Sequence, residues 1–156
     1  MPELMKDIEQ RINDIDWLQY QTAYGPAEAT PGLLYTLASD DLNAALSASH
    51  DLWCSLCHQH AYLSSAALPS YPILFQILQQ AKDELKIEIL DILYGFTKCS
   101  HPDFFNGPVQ DVQWISELRQ MIEKDKSFFI HLSKSEHETI CDFATLIVEG
   151  LNEHTL

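Results

Sequence analysis

Residues 12 to 81 contain no lysine and no arginine. Over the whole chain, 9 Lys and Arg stand against 23 Asp and Glu, a formal net charge of −14. Such a surface repels phosphate backbones and anionic membranes, which speaks against nucleic-acid and membrane-surface roles. It also speaks against a base-excision glycosylase on a helical scaffold, which needs a basic groove. Long apolar runs are missing too: none approaches the ~18 residues a membrane helix requires. The opening stretch, MPELMKDIEQRIND, lacks the apolar centre of a secretory signal, so the expected location is the cytoplasm. There Cys54, Cys57, Cys99 and Cys141 are expected to be reduced thiols. Glycine (5) and proline (7) are too few for a disordered chain, and no low-complexity tract is visible. G-x-S-x-G, P-loop and H-E-x-x-H motifs are all absent, so no enzymatic activity and no cofactor is expected.

What is present is apolar spacing of the helical kind. The chain has 156 residues, 46% of them hydrophobic, which is one domain's worth of core, taken as residues 1–156. Leu4, Ile8, Ile12 and Ile15 mark one face of a first helix. Gly25-Pro26 is a breaker, and Thr30-Pro31 reads as an N-cap followed by proline in the first turn. Asp41 caps a helix carried by Leu42, Ala45, Leu46, Ser49, Leu52, Trp53 and Leu56 to about residue 58. A helix from near Ser70 precedes a long apolar one over about 82–98. After the loop SHPDFFNGP, helical stripes recur around 114–122 and 128–132. Ser135 with Glu138 forms a capping box before a last helix to about 151. No stretch alternates with period two, so the expectation is an all-α fold of about 8–9 helices with no sheet. Leu52, Trp53, Leu56, Ile89, Leu93, Phe143 and Ile147 are expected in its core.

Three times a shorter helix precedes a longer one: about 30–38 with 41–58, 70–79 with 82–98, and 126–133 with 136–151. That pattern predicts an α-solenoid of antiparallel helix pairs. The stretch AYGPAEATPGLLYTLASDDLNAALSASHDLWCSLCHQHAYLSSAALPSYPILFQIL resembles bacterial HEAT-like helical repeat proteins. The matching residues are Gly25, Ala27, Pro31, Ser39, Asp41, His58, Gln59, Tyr62 and Pro72. They cover about residues 14–98, and the last third follows in pattern only. One departure is His60, where that group carries glycine after His-Gln. The resemblance implies a HEAT-like solenoid. Some members of the group look like immunity proteins of polymorphic or contact-delivered toxin systems.

The stretch WCSLCHQH, residues 53–60, invites a chemical reading. Haem attachment would demand an oxidising compartment. A catalytic dithiol is favoured at a helix start, where the dipole lowers a thiol pKa, whereas Cys54 and Cys57 fall at a helix end. Zinc has His50, Cys54 and His58 on one face, with Cys57 adjacent and Cys99 and His101 ending the next long helix, but lacks a second tight ligand pair. The reading adopted is a helix end with no metal, Cys57 packing beside Trp53 and His58-Gln59 capping carbonyls.

Aligning the apolar faces sets Leu52, Ser55 and Leu56 beside Ile89, Ile92 and Leu93, and beside Phe143, Leu146 and Ile147. A polar stripe then recurs as Ser47, Asp51, Cys54, His58; as Glu84, Glu88, Asp91, Gly95; and as Glu138, Asp142, Thr145, Glu149. Like charges one helical turn apart cost a few tenths of a kcal/mol per pair, so such a stripe suits a cationic partner. The plainer reading is the solvated face of a very acidic protein. Asp51, Glu84, Glu88, Asp91, Glu138, Asp142 and Glu149 are the candidate partner-binding residues. With the resemblance, they point to a non-catalytic, cytoplasmic immunity protein, monomeric when free, occluding a basic nuclease-like toxin domain through an acidic concave face. A general helical-repeat adaptor or scaffold is the alternative, and a metal-binding sensor a further one.

Overall fold

A computed structural model describes residues 2–152, with side chains from Glu3. Among them are eight α-helices: α1 Pro2–Asn13, α2 Thr30–Leu37, α3 Leu42–Leu56, α4 Ala67–Gln80, α5 Asp83–Cys99, α6 Val112–Lys124, α7 Lys126–Leu132 and α8 Glu138–Asn152. No helix among the described residues is long and apolar enough to cross a membrane.

The expectation of no sheet is corrected. Gln21–Thr22 (β1) pairs antiparallel with Gly25–Pro26 (β2). Strands this short carry no alternation, so period-two reading passes over them. Gly25, at φ +119, supplies the turn that side chains resist. The hairpin is stitched to the end of α3 by Ala23 N–H, which donates to Ser55 O at 2.8 Å, and to the loop before α4 by Gln21 N–H, which donates to Ser65 Oγ at 2.8 Å.

Helix boundaries follow local chemistry. Asp41 Oδ1 accepts from Ala44 N–H at 3.1 Å and caps α3 as expected. Thr30 does not cap α2. Ala29 takes the cap position, and Thr30 Oγ1 is buried without a partner. Helix α4 begins at Ala67 rather than near Ser70, with Pro72 inside it. Pro69 falls in the first turn, whose N–H groups need no helical partner, and Ala66 and Ala67 are fully buried. At α8 the expected box gives way to a tighter turn, in which Ser135 Oγ accepts from His137 N–H at 3.1 Å.

Consecutive helices pack as α2 on α3, α4 on α5 and α7 on α8. Helix α5 also packs against both α3 and α8, while α4 touches α1, α2 and α6. One layer therefore runs α3–α5–α8. Leu52, Leu56, Ile89, Leu93 and Ile147 are buried beneath it. Trp53 and Phe143 are only half-buried and reach its surface, which corrects their expected core placement.

Glycine sets the spacing of this layer. A Cβ on Gly95 would lie 2.6 Å from the His60 ring and 2.8 Å from Cys57 Sγ, and one on Gly150 would lie 2.9 Å from Thr97. Arg119, 4% exposed, locks the far end. Its Nη1 donates to Thr97 O at 3.0 Å and its Nη2 to Gly150 O at 2.6 Å. A fixed cation thus sits at the negative ends of α5 and α8 together. Overpacking a close contact costs about 1–3 kcal/mol, so Gly95→Ala is expected to lower unfolding free energy by that amount in urea. Gly32→Ala, with nothing within 4 Å of the added atom, is expected to raise it by about 0.5–1 kcal/mol through helix propensity.

Candidate functional site

Contacts along α3 and α5 advance together. His50 lies close enough to Glu88 to influence its ionisation, and Cys57 meets Gly95. The two helices therefore run the same way, offset by close to the register the apolar faces predict. Tyr94 meets Phe143 and Thr97 meets Gly150, which gives α5 and α8 the same sense. Asp51, Glu84, Glu88, Glu138, Asp142 and Glu149 are all exposed on these neighbouring helices. Among the described residues, none of these carboxylates is paired with a lysine or arginine.

Two positions of the stripe differ from expectation. Gly95 is buried, its notch filled by His60. Asp91 is half-buried, and His60 Nε2 lies 2.9 Å from both its Oδ1 and its backbone oxygen. Both are acceptors, so Nε2 carries a proton directed at them. Asp91 is therefore an internal anchor as well as an acidic surface group.

His60 reaches this notch through an unusual turn. Helix α3 stops at Leu56, and His58, Gln59 and His60 all take positive φ, at 39°, 57° and 69°. Left-handed backbone costs a side-chain-bearing residue roughly 1–2 kcal/mol. The glycine expected at position 60 is thus the residue this backbone favours, and His60 exchanges that ease for its bond to Asp91. His58 and Gln59 do not cap α3. Its last carbonyls accept instead from Ala23 N–H to Ser55 O, Ser64 N–H to Leu56 O and Ala61 N–H to Cys57 O.

The thiols are divided by burial. Burial pushes Cys57 up to about 12, and its Sγ donates to Trp53 O at 3.4 Å. Cys99, pushed up to about 11 by burial, donates to His60 O at 3.4 Å. Cys54 is half-exposed, with His50 Nε2 at 3.7 Å. Among the described residues, no three His, Cys, Asp or Glu side chains converge as metal ligands.

Sequence reasoning missed a row of rings. His50 lies 5.8 Å from Trp53, Trp53 5.8 Å from His60, His60 5.3 Å from Tyr94, and Tyr94 6.5 Å from Phe143, centroid to centroid. The row crosses α3, the left-handed turn, α5 and α8, between the carboxylates. Beyond Tyr94 a cleft of about 390 Å³ opens between the last turns of α5 and α8, lined by Lys98, Phe104, Leu146 and Glu149 among others. Lys98 Nζ sits 5.7 Å from the Phe104 ring centre. The acidic face thus ends in a lysine that the stripe reading did not include.

Desolvation first, and then the Asp91 carboxylate, raise the Glu88 pKa, while His50 acts in the opposite sense. A carboxyl raised on folding contributes stability that is fully present below its unfolded pKa and is lost as pH rises through the folded one. Glu88→Gln is therefore expected to gain stability over the parent as pH rises from about 4 to about 7, read by urea unfolding across that range. A gap that stays constant with pH contradicts this. Gln59→Gly, at an exposed left-handed position, is expected to stabilise by about 1 kcal/mol in the same assay.

Comparison with family models, with curated proteins and with solved structures finds no match. The likeness to HEAT-like repeats therefore rests on the residues quoted for it.

Proposed function

We propose that this chain is a non-catalytic protein-binding module of HEAT-like stacked helix pairs, which occludes a basic partner through the α3–α5–α8 layer. In its concrete form it is a cytoplasmic immunity protein, monomeric when free, that masks a nuclease-like toxin domain whose own substrate site must be cationic. The observation that carries this reading is the common exposure of Asp51, Glu84, Glu88, Glu138, Asp142 and Glu149 on adjacent helices, with no lysine or arginine paired to them among the described residues. A solvated helix face normally mixes signs, because neighbouring opposite charges help it. A stripe of carboxylates without such pairs lacks that help and offers a cationic surface fast, salt-sensitive association.

Glu84→Lys with Glu88→Lys is the informative reversal, because both side chains are exposed and Asp91 holds His60. The pair Glu3→Lys with Glu9→Lys on α1 is the control. Asp7 is unsuitable there, since Gln76 Nε2 donates to it at 2.6 Å. Quantitative co-purification from the native host is expected to enrich a protein with a basic domain on the parent chain. Enrichment should fall at least about tenfold for the α5 reversal, equivalent to about 1.4 kcal/mol, and little for the α1 control. Equal enrichment by both variants contradicts the reading. The purified partner's nuclease activity is expected to be suppressed by one equivalent of the parent chain.

A further inference from the structure

We infer that the seam between α3 and α5 is where this face grips its partner, and that the residue it takes is an arginine, its guanidinium against Trp53 and between the carboxylates of Asp91 and Glu88. This deepens the reading of an acidic binding face and rests on it.

The seam already surrounds one planar N–H donor. The His60 ring stands edge-on between Trp53 and Tyr94, at interplanar angles of 76° and 88°, with Nε2 on Asp91 Oδ1 at 2.9 Å. That bond uses one oxygen of a carboxylate that can accept at both, and the Asp91 side chain is 28% exposed. Glu88 lies one turn back on α5 and is exposed, with His50 of α3 nearby. Trp53 is half-buried, but its indole Nε1 is fully covered. What the indole offers to solvent is therefore carbon, and its two ring neighbours lead to the carboxylates: His60 is bonded to Asp91, and His50 lies near Glu88.

Arginine fits this arrangement better than lysine. Its guanidinium is planar, stacks on aromatic faces and offers paired N–H donors that can bridge two carboxylates. An ammonium is a compact, strongly hydrated point charge that keeps more of its water. Tryptophan is the strongest aromatic partner for such a cation. Tryptophan and arginine are also the residues in which interface energy concentrates. Acidic charge attracts both cations, and a fork on exposed carboxylates adds little in water, so the ring is the main discriminator.

Two peptides of equal length and charge, alternating arginine–glycine and lysine–glycine, serve as probes. Binding is read from NMR shifts of the Trp53, Glu88 and Asp91 resonances in the full chain. The arginine peptide is expected to bind about tenfold more tightly, corresponding to about 1.4 kcal/mol. Trp53→Leu should erase that preference while changing the lysine peptide less than about twofold. Trp53→Phe, which keeps a ring, should retain part of the preference and serves if the leucine variant does not fold. Glu88→Gln should weaken both peptides. Equal affinity for the two peptides, or a preference that survives Trp53→Leu, overturns the inference. If both peptides bind equally and Glu88→Gln weakens both, only the arginine assignment fails. If neither binds, or neither responds to Glu88→Gln, the acidic-face reading fails with it.

Discussion

Helix α5 is approached on both sides more closely than an ordinary side chain would allow. On one side Gly95 admits His60 and Cys57, and on the other Gly150 of α8 lets Thr97 come near. These contacts fix how far each neighbour can slide along α5. Arg119 then holds the carbonyl ends of α5 and α8 at a common level. The result is a layer of three helices with a shared direction and a fixed stagger. The surface features described above depend on that stagger, because no single helix carries them.

The left-handed turn at 58–60 is the costly part of this arrangement. Three consecutive side-chain-bearing residues hold a conformation that glycine adopts freely. The return is a histidine placed between two aromatic rings and hydrogen-bonded to a carboxylate one helix away. Locally strained backbone of this kind persists only where its surroundings over-determine it, and it clusters at functional sites. Here the surroundings are Asp91, the Gly95 notch and the bond from Cys99 to His60 O. The ring row exists because the turn delivers His60 to the midpoint between Trp53 and Tyr94.

Much of the helical plan was legible in the sequence. Leu52, Leu56, Ile89, Leu93 and Ile147 repeat at helical spacing and are buried, and Asp41 caps α3. The relative register of α3 and α5 was also accessible, because matching apolar faces constrains the stagger of helices that share a core, whereas in α8 Phe143 meets Tyr94 rather than the aligned Ile89. The hairpin was illegible because two residues per strand leave no period. The start of α4 was misjudged because prolines at 69 and 72 suggest a boundary, whereas the burial of Ala66 and Ala67 extends the helix past them. Trp53 and Phe143 look like core residues along their own helices, and only the packing of neighbouring helices brings them to a shared surface. The ring row was invisible for the same reason, since its members come from distant segments. One signal did point to it: a histidine at position 60, where the resemblance calls for glycine.

The central claim is that the α3–α5–α8 layer, and not the opposite layer, covers the partner. Hydrogen–deuterium exchange of the chain, free and bound to its captured partner, tests this most directly. The account predicts new protection in residues 50–60, 84–98 and 142–150, with α1, α4 and α6 unchanged. Protection confined to α1, α4 and α6, with the α3–α5–α8 layer exchanging as in the free chain, would contradict it.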